Sequence, residues 1–153
     1  MEIPILLWLF QGIPECLAVA ALALVLAGRP LDPRSVFMIG LPQAVAAYLV
    51  RLLPLTFGVH SIILIVILAI LLNVLLKIKL SRGILAALVV LIILCFAEMV
   101  SISLMVFITG IPFNQTYREI YLTILYGWPH VIFIFLLALA IYRWRRRSLL
   151  FAS

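Results

Sequence analysis

Apolar side chains fill five long stretches of the chain, separated by short segments that contain polar residues, glycine or proline. The stretches cover approximately residues 4–27, 35–53, 59–76, 83–108 and 121–142. About 20 residues of helix cross the ~30 Å hydrocarbon core of a bilayer, so each stretch is long enough to span it. The pattern therefore predicts an all-α, polytopic integral membrane protein with five transmembrane helices.

The composition leaves no room for a separate water-soluble domain. Hydrophobic residues make up 68% and charged residues 10% of the 153 residues, whereas soluble domains have roughly 45–50% and 25%. We therefore expect residues 1–153 to form a single membrane domain. The net charge of +6 would suit a nucleic-acid binder, but the basic residues lie at the ends of the apolar stretches. The positive-inside rule explains that placement, and we expect no nucleic-acid partner.

Basic residues are distributed unevenly between the two ends of the predicted helices. Of the eleven lysines and arginines, only Arg51 and Arg118 flank one side. The positive-inside rule places the other side in the cytoplasm of a bacterial cell, beneath the plasma membrane. The N-terminus is then outside, and a basic tail at 143–153 is inside. The nine residues of the cytoplasmic side are Arg29, Arg34, Lys77, Lys79, Arg82, Arg143, Arg145, Arg146 and Arg147.

Ionisable side chains inside the apolar stretches are the strongest functional signal in the chain. They are Glu15, Arg51, Glu98 and His130, with His60 at the edge of the third stretch. A charge at the centre of a bilayer costs about 2.5–3.5 kcal/mol even on the scale derived from helix insertion. Such groups therefore face one another, water or a ligand, and we predict that these five belong to a polar pocket open to the outside.

Helical spacing places further polar side chains beside this cluster. Gln11 and Glu15 are four residues apart, and a spacing of three or four residues puts two side chains on one helix face. Proline directly precedes both Glu15 and His130, and each proline leaves a backbone carbonyl without its helical donor. We predict that Glu15 and His130 face the bundle interior at mid-membrane depth. The predicted supporting residues are Gln11, Gln43, Ser101 and Tyr126.

Depth along the helices favours an ion pair between Arg51 and Glu98. At 1.5 Å per residue, Glu98 lies about 22 Å from the cytoplasmic end of its helix, in the outer half of the membrane. Arg51 lies near the outer end of its own helix, and a buried carboxylate needs a partner. We predict that the two side chains meet directly or through a water. Two alternatives stay open: Arg51 extends to the lipid headgroups, and Glu98 is protonated and hydrogen-bonded.

The segment 49–61, LVRLLPLTFGVHS, is followed by an aliphatic helix. Together with Pro14-Glu15 and Glu98, it resembles the membrane region of GHKL-type sensor histidine kinases of Gram-positive bacteria. The resemblance implies membrane helices that sense a ligand or the state of the envelope. The chain departs from that family after residue 143, where it has no phospho-acceptor segment and no ATP-binding domain. Signalling would then depend on a partner.

No catalytic motif occurs in the sequence, which has no glycine-rich phosphate loop, Gly-x-Ser-x-Gly or His-Glu-x-x-His. We expect no enzymatic activity, no cofactor and no metal site. The leading hypothesis is a sensor-like membrane module that binds a small molecule or peptide and signals through a partner in the cytoplasm or the membrane. A small transporter or channel subunit and a structural membrane subunit are the alternatives. Membrane lipid is an expected partner, and self-association stays open.

The orientation can be tested with a reporter that fluoresces only in the cytoplasm. Because nine of the eleven basic residues flank one side, a fusion at the C-terminus should fluoresce, and a fusion at the N-terminus should stay dark. The reverse pattern would contradict the predicted orientation.

Overall fold

The computed structural model describes residues 5–53, 57–111 and 120–150, and within these ranges the chain is all-helical. Five helices are long and apolar enough to cross a membrane, as predicted. Except at the end of the fifth helix, their ends agree with the predicted ones to within three residues. Arg118 and most of the predicted turn at 54–58 lie outside the described residues. The helices are α1 Ile5–Leu26, α2 Pro33–Leu52, α3 Phe57–Leu76, α4 Leu80–Thr109 and α5 Ile120–Leu150.

Helix α5 continues to Leu150, eight residues beyond the predicted end at 142. The predicted basic tail is therefore helical as far as the structure describes it. No glycine or proline follows Pro129, and arginine and leucine are good helix formers, so the helix has no local reason to stop. As a result, the arginines at 143 and 145–147 lie on a helix that extends the bundle at its basic end. The basic end also includes the α1–α2 turn at 27–32 and the α3–α4 link at 77–79.

Glycine ends α1 at the basic end of the bundle. Gly28 has a left-handed φ of 88°, its N–H donates to Val25 O at 3.1 Å, and the N–H of Arg29 donates to Leu24 O at 2.9 Å. This pair of bonds is the Schellman motif, and glycine suits its left-handed position. The chain therefore turns sharply after α1 and positions Arg29 directly beneath the bundle.

Asp32 begins α2 as its N-cap. Its Oδ2 accepts hydrogen bonds from the Ser35 hydroxyl at 2.7 Å and from the Ser35 backbone N–H at 2.9 Å. These hydrogen bonds stabilise the charged carboxylate and hold the pKa of Asp32 below its usual range. The bond from the Ser35 hydroxyl has the larger effect and the bond from the backbone N–H the smaller one. Pro33 occupies the first turn, where its missing N–H costs no helical bond.

Helix α1 is the central helix of the bundle. It packs against α2, α4 and α5, and the remaining helices pack against their neighbours in chain order. Its residues 18–25 are all buried, without the exposed stripe of a peripheral helix. The hydrophobic core around them draws on all five helices and includes Ala20, Leu22, Ile39, Leu68, Leu72, Ala87, Val90, Ile134 and Ala138.

Small side chains let α1 and α2 approach closely. The inward face of α2 consists of small residues and one glutamine, since Gly40, Gln43, Ala44 and Ala47 are all buried. A Cβ atom added at Gly40 would lie 2.6 Å from Leu17 Cδ2 and 3.0 Å from Leu17 Cα. The backbones are therefore too close for a larger residue, as is typical of membrane helix interfaces that use small residues.

Replacement of Gly40 by alanine should destabilise the bundle. Because the added Cβ would meet the Leu17 backbone at 3.0 Å, the two helices have to separate, at a cost of about 1–3 kcal/mol. Reversible unfolding of the purified protein in detergent measures this loss. Val45→Ala on the exposed face of α2 is the control, and it should change the free energy of unfolding by less than ~0.5 kcal/mol. Equal effects of the two substitutions would contradict the close approach.

Candidate functional site

A wide turn in α1 positions the first polar side chains of the site. Trp8–Gly12 form a π-helical turn in which the N–H of Ile13 donates to Trp8 O, five residues back. Pro14 follows at once, so the helix is irregular directly before Glu15. Gln11 lies in this turn, directly above Glu15 along the helix. Single π turns occur often at functional sites because they redirect the side chains of the turn.

Glu15 and His130 meet across the interface between α1 and α5. His130 Nε2 lies 3.8 Å from Glu15 Oε2, and the two side chains are 2% and 19% exposed. This separation is within ion-pair range but longer than a hydrogen bond. The prediction that both residues face the bundle interior is confirmed, and their shared depth brings them into contact.

A small cavity of about 30 Å³ lies beside this pair, between α1, α4 and α5. Glu98 lines the cavity from α4 although the residue as a whole is exposed, so the cavity borders the outer surface of the bundle. A volume of this size holds one or two water-sized groups. The residues around it are Gln11, Glu98, Ile102, Thr123, Tyr126, Gly127 and His130.

Two polar atoms at the cavity are buried without a hydrogen-bond partner among the described residues. They are Gln11 Oε1 and His130 Nδ1. The Gln11 amide lies over Gly127, where an added Cβ would be 2.0 Å from Gln11 Nε2. Glycine at 127 is therefore required for Gln11 to reach the site. Buried polar atoms normally find partners, so these two favour a polar guest in the cavity.

Tyr126 joins α4 and α5 on the side of the cavity away from the basic end. Its hydroxyl donates to Ile111 O at 2.9 Å and contacts the Thr109 hydroxyl. The Ser101 hydroxyl donates to the backbone carbonyl of Tyr126 at 3.2 Å. Tyr126 and Ser101, both predicted supporting residues, therefore belong to one hydrogen-bonded contact. We refer to Gln11, Glu15, Glu98, Tyr126 and His130 as the polar site.

Arg51 and Glu98 were predicted to meet directly or through a water. They form no direct ion pair in the described ranges, so the direct form of this prediction is wrong, and a contact through a water stays a prediction. Among the described residues, Glu15 is the acidic side chain within ion-pair distance of a basic one, that of His130. Arg51 is exposed in the last turn of α2. Helix α1 packs against both α2 and α4, which share no extensive contact with each other. Similar depth therefore does not bring the side chains of α2 and α4 together.

His60 and Gln43 lie away from the cavity. His60 is half-buried in the first turn of α3 and does not line the cavity. Gln43 is buried, and its Nε2 donates to Leu64 O at 3.0 Å, which links α2 to α3. The predicted cluster thus divides: Glu15, Glu98 and His130 come together, whereas Arg51 and His60 remain outside the cavity lining.

The described ranges hold no group of three or more histidine, cysteine, aspartate or glutamate side chains arranged to bind a metal ion. Comparisons with protein-family models, with curated proteins and with solved structures return no match. The resemblance to the membrane region of sensor kinases therefore stays a prediction based on residues 49–61 and the two glutamates. Function has to follow from the geometry and chemistry of the polar site.

Proposed function

We propose that the chain is a non-enzymatic, sensor-like module of the plasma membrane that responds to protonation of the polar site and signals through a partner. The contact of Glu15 with His130 at 3.8 Å, in apolar surroundings, is the observation that carries this proposal. Histidine is the side chain whose charge changes most readily between about pH 5 and 8. Intramembrane ionisable residues are rare and usually serve function.

The size of the cavity supports a proton, carried by water, as the sensed species. Its volume of about 30 Å³ is far below the roughly 300–1,000 Å³ of pockets for small molecules. A peptide or metabolite would have to reshape the bundle, whereas a water-sized proton donor would not. Gln11 Oε1 and His130 Nδ1 offer such a donor two buried polar partners.

Ionisable groups on four helices lie near the polar site. Glu98 on α4 lies within electrostatic range of Glu15 on α1, His130 on α5 and Arg51 on α2, and the Cys16 thiol lies within range of Glu15 and Arg51. One added proton changes the net charge of this set by one unit. In a low-dielectric interior, such a change alters the attraction between α1 and α5 strongly.

Helices α1 and α5 connect the polar site to the basic end. Their second polar contact lies there, where Arg145 Nη1 donates to Val25 O at 2.7 Å. A shift of α1 against α5 at Glu15 and His130 would disturb this contact, because both helices are continuous between the two points. The exposed arginines of α5 would then present the change to an acidic or membrane-bound partner.

Transport of protons or cations through the bundle is less well supported. Between the polar site and the basic end, residues 18–25 of α1 are apolar and buried. Eight helical residues correspond to about 12 Å of core along the axis. An ion would need polar groups or water in this stretch. Because the polar site does not extend through the bundle to the basic end, its position favours sensing over conduction.

The proposal predicts a pH-dependent distance at the basic end. Spin labels on Arg34→Cys and Arg143→Cys, both at exposed positions, report the separation of α2 and α5 in liposomes once Cys16 and Cys95 are replaced by alanine. The distance distribution should shift as the pH is lowered, because an added proton changes the charge at the contact between Glu15 and His130. His130→Gln and Glu15→Gln should abolish the shift.

His60→Gln is the matched control because it removes the other histidine of the chain, which does not line the cavity. It should leave the pH-dependent shift intact. A distribution that does not change with pH, or that changes equally in His130→Gln, would contradict the proposal.

A further inference from the structure

A second, larger cavity lies at the basic end of the bundle, where Arg145 of α5 contacts Val25 of α1. Its volume is about 300 Å³, the lower limit of the range for pockets that hold small molecules. The turn after α1 forms one wall and the last turns of α5 form the other. Its lining includes Gly28, Arg29, Pro30, Tyr142, Arg145 and Arg146.

Two of the three arginines are held in place by the ends of other helices. Arg145 Nη1 donates to Val25 O at 2.7 Å, and Arg29 Nη2 donates to Leu76 O. Each guanidinium has five N–H donors, so both retain donors after these bonds. Carbonyl groups at helix C-termini thus fix two cationic groups around the cavity before any ligand arrives.

Arg146 is the third cationic group, and it makes no hydrogen bond or ion pair within the part of the chain that the structure describes. The nearest carboxylate along the chain, Asp32, does not line the cavity and accepts two hydrogen bonds from Ser35. The cavity therefore collects three positive charges without a carboxylate in its lining, and an anion would relieve their mutual repulsion.

We propose that this cavity, which we call the arginine pocket, binds a phosphate group. Guanidinium groups bind phosphate oxygens through paired, charge-assisted hydrogen bonds, which favours phosphate over a monovalent spherical anion. The pocket lies at the end of apolar helices and includes Tyr142, an arrangement typical of the lipid headgroup region. The phosphate can belong to an anionic lipid headgroup or to a free phosphorylated compound.

The Gly28 conformation gives the pocket its shape. The left-handed turn at Gly28 brings the backbone to the Arg145 guanidinium, since an added Cβ would lie 3.5 Å from Arg145 Nη2. The turn at Gly28, which ends α1, and Arg145 of α5 therefore border the pocket together.

The test is a binding titration of the full chain in uncharged detergent. Binding is measured as a rise in the midpoint temperature of thermal unfolding. The probes are phosphatidylglycerol, phosphatidylcholine and inorganic phosphate, the last at constant ionic strength. Phosphatidylglycerol should raise the midpoint in the unmodified chain more than phosphatidylcholine does. Arg146→Gln should weaken this binding roughly fivefold, because the pocket then loses one of the three guanidinium groups that bind the phosphate.

Arg143→Gln and Arg147→Gln are the matched controls, because they remove the same charge from the same helix at exposed positions outside the cavity lining. Both should bind phosphatidylglycerol as the unmodified chain does. Arg145→Gln also removes the bond to Val25 O, so Arg146→Gln, which loses no contact within the described chain, is the decisive variant.

The outcomes separate the sources of the phosphate. Binding of phosphatidylglycerol but not of inorganic phosphate supports a lipid headgroup, and binding of inorganic phosphate that depends on Arg146 supports a free phosphorylated ligand. Binding of neither probe would overturn the proposal. Equal weakening by Arg143→Gln, Arg147→Gln and Arg146→Gln would also overturn it, because attraction by the overall charge would then suffice.

Discussion

Hydrocarbon supplies no hydrogen-bond partner, so every polar group that α1 carries into the bundle has to be satisfied by a neighbouring helix, by water or by a ligand. The central position of α1 provides those neighbours. Trp8 Nε1 donates to Ala44 O of α2 at 2.9 Å, and Glu15 meets His130 of α5 at 3.8 Å. Below Glu15 the helix has only apolar residues up to its end at Leu26 apart from Cys16, and its last turns are enclosed on all sides.

Helix α1 has polar residues in one half and apolar residues in the other, so the two ends of the bundle differ in chemistry. One half contains the polar site, and the other half is an apolar core that ends at the arginine pocket. Helices α1 and α5 touch in both halves, through Glu15 and His130 and through Val25 and Arg145. In the proposed function, these contacts carry a change in charge from one end to the other without a path for ions. A sensor needs such a connection between sites, whereas a channel needs polar groups along the whole route.

Helical spacing and depth identified much of this arrangement, but not the neighbours of each helix. Glu15 and His130 each follow a proline and lie at similar depth, and the structure brings them together. Arg51 and Glu98 are also similar in depth, yet α1 packs against both of their helices and the two do not pair. Periodicity gives the face of a helix and its depth, but not which helix that face meets. The role of Gly127 depends on Gln11 of another helix, so no local signal indicates it.

A double-mutant cycle on Glu15 and His130 tests the central claim most directly. Glu15→Gln, His130→Gln and the double variant are unfolded reversibly in detergent or lipid, and the free energies are compared. Because each single change leaves the other buried group without its partner, the coupling should be about 1 kcal/mol or more, whereas the same cycle on Arg51 and Glu98 should be additive within ~0.5 kcal/mol. Additivity of Glu15→Gln and His130→Gln would contradict the account, because the polar site would then lack the interaction on which the proposed response depends.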